Sequence, residues 1–145
     1  MKTFTLVLLV MTAAGFSAAA QTLDLDALAA PKRDLKAEEQ AIFDDAVELI
    51  QNKQHTLALL SLSRLTGSGL GNSAVRVIRS YALLQLGNVL GALDEARIAE
   101  QSGVRSAYRC WFLERVAHLA GNEKICRREA KHVAGHPEYS RDLHR

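Results

Sequence analysis

The chain meets itself at an interval of 34 residues. Moved forward by that interval, Gly87-Asn88 falls on Gly121-Asn122 and Ala96 on Ala130. Moved back, Ala92 falls on Ala58 and Gly103 on Gly69. A fixed period of this length is the mark of stacked supersecondary units, each too small to bury its apolar face alone. The stretch Ser73–Gly103 reads as one such unit: a helix, a tight turn at Gly87-Asn88, and a second helix closed by Gly103.

Two more units flank it. In the first, Asp34 is placed to cap a helix, and Ile42, Phe43, Ala46, Val47, Leu49 and Ile50 form an apolar stripe at helical spacing. A polar turn at Asn52–Gln54 leads to a second helix carrying Leu57, Ala58, Leu60, Ser61 and Leu65, stopped by Gly67-Ser68-Gly69. The middle unit opens at Asn72 or Ser73, ends its first helix at Gly87, and caps its second with Asn88. The third opens at Ser106, turns at Gly121-Asn122 and ends at Gly135 and Pro137. The fold class predicted is all-α: antiparallel helical hairpins stacked as a solenoid over residues 37–137, with a polar tail at 138–145.

Residues 1–20 stand apart. Lys2 precedes the apolar run Thr3–Met11, and Ser17-Ala18-Ala19-Ala20 supplies the small residues a signal peptidase needs. A secretory signal peptide with cleavage before Gln21 is expected, and with it a periplasmic or secreted protein. The apolar run is too short for the ~20 residues that span a bilayer, so no transmembrane segment is expected in the mature chain. Residues 21–36, interrupted by Pro31, read as an N-terminal tether; alternatively Leu23, Leu25 and Leu28 fold back over the flank of the first hairpin.

The hairpin pattern resembles the tetratricopeptide repeat family over roughly Glu39–Pro137. The likeness rests on the period, the Gly-Asn turns, and small residues where the family's paired helices touch. Those are Ala46 with Ala58, then Ser80 with Ala92; the third pair is Glu114 with Cys126. Glu114 departs from the pattern, since a carboxylate does not belong in a close helix contact, and Trp111 falls one place from the family's Trp. The resemblance implies a concave groove lined by the first helix of each unit. Here that groove presents Phe43, Val47, Tyr81, Gln85, Tyr108, Trp111, Arg115 and His118, of which Tyr81, Gln85, Tyr108, Trp111, Arg115 and His118 are the candidate partner-binding residues. Aromatic rings beside a guanidinium suit a peptide, because rings give contact area at small entropic cost and guanidinium grips carboxylates and carbonyls.

Cys110 and Cys126 are the two cysteines. An even pair in an oxidising compartment favours a disulfide. In a hairpin turning at Gly121, Cys126 should lie opposite about Val116, an axial offset of about 9 Å from Cys110 where a bridge wants Cα atoms within ~7 Å. A one-turn adjustment closes that gap, and the disulfide is the expectation.

No catalytic or cofactor motif appears. There is no nucleophile elbow, phosphate loop or dinucleotide fingerprint, and no Cys-x-x-Cys or His-Glu-x-x-His spacing. Gly67-Ser68-Gly69-Leu70-Gly71 lacks the Lys and Ser/Thr of a phosphate loop and reads as the connection between units. His132 and His136 are four apart, but Gly135 lies between them. No metal, cofactor or enzymatic activity is expected; a polar cluster of Glu114, Arg115 and His118 is the one enzymatic alternative. The formal net charge is +2, which gives no global field for nucleic acid. Charge is unevenly spread: residues 24–52 hold eight acidic and three basic residues, while residues 105–145 hold nine basic and five acidic. The expected function is an exported adaptor that binds a protein or peptide partner. The alternatives are a basic third hairpin binding an anionic envelope polymer, or an accessory subunit of an envelope enzyme.

Overall fold

Turn chemistry sets the architecture. In the computed structural model, which describes residues 24–30, 35–102 and 106–135, positive φ occurs at Gly67 (55°) and, at the three hairpin turns, at Lys53 (61°), Gly87 (80°) and Gly121 (69°). Each of the three hairpin-turn residues donates its N–H three residues back, to Ile50, Leu84 and His118, and each following residue donates five back, to Leu49, Leu83 and Ala117. This is a Schellman closure, which satisfies the last carbonyls of a helix as the chain turns over. The closures stand 34 residues apart and define three antiparallel helix pairs.

The pairs are α2 (Ala37–Gln51) with α3 (His55–Leu62), α5 (Ser73–Gln85) with α6 (Val89–Ser102), and α7 (Ala107–Leu119) with α8 (Glu123–Val133). Two short helices complete the described residues: α1 (Leu25–Ala29) and α4 (Ser68–Gly71). All eight elements are helical, and no strand occurs among the described residues. Caps follow the side chains expected to make them. Asn72, Asn88 and Asn122 accept from the backbone N–H of Ala74, Gly91 and Ile125, and Ser106 accepts from that of Arg109. Asp34 lies outside the described residues; α2 begins at Ala37, where Glu39 accepts from the backbone N–H of Lys36.

Within each pair the helices meet twelve residues apart. Ala46 and Ala58 are both fully buried, Ser80 Oγ donates to the Ala92 carbonyl at 2.6 Å, and Cys126 Sγ donates to the Glu114 carbonyl at 3.7 Å. Between pairs, α3 packs on α5 and α6 packs on α7. Two apolar clusters result. One gathers Phe43, Ala46, Val47, Ile50, Ala58, Leu62, Val75 and Ile78; the other gathers Val77, Leu93, Trp111, Phe112, Leu113, Val116, Ile125 and Val133. Tyr81 packs against both.

Three expectations are modified. The Gly67–Gly71 connection contains a helical turn, α4, where Gly69 approaches α2 so closely that a Cβ would meet Glu39 Oε1 at 2.7 Å. Residues 25–29 are helical rather than a free tether: α1 seats on α5 and α7, further along the chain than the first hairpin. Cys110 and Cys126 are both free thiols, so the disulfide is not formed. The reason is register. Cys126 faces the backbone of Glu114, four residues past Cys110 on α7, and four residues are about 6 Å of helix rise. The expected export signal at 1–20, its cleavage site before Gln21, Pro31, Gly103, His136, Pro137 and the tail at 138–145 lie outside the described residues. No helix among those described is long and apolar enough to cross a membrane.

Candidate functional site

The face shared by α5 and α7 is the place where a second segment lies against the hairpins, and that segment is α1. Asp24 caps α1, its Oδ1 accepting from the backbone N–H of Asp26 and Ala27 at 3.0 Å. The backbone N–H of Asp24 donates to the Tyr108 hydroxyl at 2.8 Å. At the other end Arg109 takes over. Its Nε donates to the Leu28 carbonyl at 3.0 Å, Nη2 to the Ala29 carbonyl at 3.4 Å, and Nη1 to Ser73 Oγ at 2.9 Å. The last carbonyls of a helix lack partners within it and carry the negative end of its dipole. A guanidinium, with donors in a fixed fork, answers both needs. Arg109 is itself buried, and burial pushes its pKa down.

Side-chain packing completes the seat. Leu28 is fully buried in the cluster of α5–α8 residues, while Ala29, also fully buried, joins the cluster that includes α2 and α3. α1 therefore spans the two clusters. Arg109 was not singled out from the sequence, although it shares a face of α7 with Leu113 and Val116. A basic residue on an apolar stripe was the available signal.

The six expected groove residues divide. Tyr108 and Trp111 pack with ring centroids 5.4 Å apart, and the Arg115 guanidinium lies 5.8 Å from the Trp111 ring centroid, in cation–π range. Tyr81 instead meets His55 edge-on at 6.2 Å; burial raises the Tyr81 pKa and lowers that of His55. Gln85 is exposed in the last position of α5. Phe43, Val47 and Trp111 do not face a groove: the first two are buried in the core of the first hairpin, and Trp111, only 8% exposed, is buried in the other cluster.

His118, exposed on α7, belongs to a different corner. Its ring, the Glu114 carboxylate and the Cys126 thiol converge, with one ligand atom from each lying within 4.8 Å of the others. Glu114 is only 8% exposed, and its Oε2 has no hydrogen-bond partner among the described residues. Burial raises its pKa, against the opposing pull of Arg115 and His118. The Cys126 pKa is also raised, chiefly by burial and then by Glu114. On the outer side, α8 carries exposed Lys124, Arg127 and Lys131; Arg127 pairs with Glu123, and Arg128 with Glu100 and Glu129.

Compared with protein-family models, curated proteins and solved structures, the chain has no significant match.

Proposed function

We propose that this chain is an exported, tetratricopeptide-like helical adaptor that holds a protein or peptide segment on the α5–α7 face. The observation that carries this reading is the seating of α1. A five-residue helix is held there by side chains directed at its main chain, with one leucine buried beneath it. Main-chain recognition of this kind accepts segments of varied sequence, while the leucine position supplies selectivity. Beside it, the half-buried Tyr108 ring and the exposed Arg115 guanidinium, both set against the buried Trp111 ring, offer aromatic area and charge over which a partner segment extends. The reading invokes preformed surface and no bond-making step. The three turn closures at a 34-residue interval support a stacked-repeat scaffold for that surface.

The test is affinity capture from the cell envelope with mass spectrometry of what is retained, at low and high salt. A protein that survives high salt, and is lost from a Tyr108→Ala, Arg115→Ala double variant, is the expected result. Retention that collapses with salt transfers the reading to an anionic envelope polymer on the exposed face of α8, because exposed charges are screened within about 10 Å at 0.1 M salt. A double variant that retains the same protein as the native chain overturns the assignment of the face.

A further inference from the structure

We propose that Glu114, His118 and Cys126 form a binding site for a divalent cation of the zinc class. Glu114 and His118 are four residues apart on α7 and therefore share one face, a turn apart. Cys126 arrives from α8 across the Gly121 turn, brought opposite Glu114 by the twelve-residue register of the hairpin. Carboxylate oxygen, imidazole nitrogen and thiolate sulfur are all zinc donors, and sulfur with nitrogen selects zinc over magnesium or calcium.

The second observation is independent of the convergence. Glu114 is more than nine-tenths buried, its carboxylate reaches this corner with one oxygen, and its Oε2 has no hydrogen-bond donor among the described residues. A buried carboxylate oxygen in that condition is unfavourable, and a cation supplies what it lacks. Position favours positive charge as well, since the corner lies along the C-terminal half of α7, at the negative end of its dipole.

Charge and geometry balance. Carboxylate and thiolate offset a dication, and the imidazole binds neutral. Binding replaces the Cys126 S–H bond with a sulfur–metal bond and sends the proton to solvent; no electron moves. Metal bonds of about 2.0–2.3 Å place neighbouring tetrahedral ligands roughly 3.3–3.8 Å apart. The three ligand atoms, all within 4.8 Å of one another, therefore draw in by at most about 1–1.5 Å on binding. Water takes the fourth position.

Cobalt(II), a spectroscopic stand-in for zinc, tests the site on the full reduced chain. The expected result is tetrahedral cobalt absorption with a thiolate-to-metal charge-transfer band, saturating at one equivalent and abolished by one equivalent of zinc. Cys126→Ser should lose the charge-transfer band. His118→Gln should weaken affinity by at least the ~10–100-fold that loss of even an outer-shell partner costs. His132→Gln and Cys110→Ala should keep the band. His118 is exposed, so its variant carries the test even if Cys126→Ser fails to fold. No charge-transfer band in the native chain, a band lost with Cys110 in place of Cys126, or equal cobalt affinity in native and His118→Gln chains would each overturn the proposal.

Discussion

At the level of single residues, the three turn positions make a matched set. Gly87 and Gly121 take positive φ with nothing within 4 Å of where a Cβ would stand, so strain alone opposes a side chain there. Lys53 takes the same conformation with a side chain attached. A left-handed residue other than glycine costs roughly 1–2 kcal/mol, partly returned by the lower freedom of its unfolded state. Lys53→Gly should therefore stabilise the chain by about 0.5–1 kcal/mol, and Gly87→Ala or Gly121→Ala should destabilise it by about 1 kcal/mol. Urea unfolding with unchanged slope checks all three; a destabilised Lys53→Gly would refute the argument. These turns were legible because glycine and asparagine act locally, on backbone atoms within five residues. The Glu114 corner was legible only in pieces: its four-residue spacing from His118 and its pairing with Cys126 are both visible in the sequence, yet Glu114 read as a flaw in the register. The register holds, and the carboxylate sits in the contact.

Among the elements, α1 is the one whose placement local rules do not reach. Its contacts with Tyr108 and Arg109 span 80–84 residues of chain, and no periodicity encodes a partnership that distant. Pro31 argued for a tether because the burial of Leu28 depends on α5 and α7, which the local sequence does not contain. Arg109→Met preserves much of the volume but orphans the Leu28 and Ala29 carbonyls. With about 1–3 kcal/mol for each unsatisfied buried acceptor, destabilisation of about 2–4 kcal/mol is expected, concentrated in α1. Hydrogen exchange should show residues 24–30 losing protection while α5 and α6 keep theirs; uniform loss across the chain would count against a local seat. The disulfide failed for a related reason. Composition and compartment argued for it, but one turn of helix rise separates Cys110 from the level of Cys126, and packing of Ile125 and Val133 into the second cluster fixes α8 where it is.

Taken as a whole molecule, the helix pairs touch mainly their neighbours in the chain, a layout in which stability propagates from pair to pair. α1 breaks that rule by reaching α7 from the other end of the described residues, with Leu28 in one cluster and Ala29 in the other. Leu28→Asp should unseat it, replacing a fully buried leucine with a charge. Thermal unfolding should then separate into an early step reported by Trp111 fluorescence and a later one seen by circular dichroism, where the native chain melts with both probes coincident. Coincident probes in the variant would sink that account. The general helical outline followed from the apolar period and the caps; the cross-link did not, since it depends on which surfaces three finished hairpins leave side by side. It also orders events in time. The berth of α1 lies on α7, 80–84 residues further along the chain, so α1 must wait for the intervening hairpins before it can dock. Closure over such a span is slow relative to the local zipping of each hairpin, and any segment able to reach that berth sooner has a window in which to claim it.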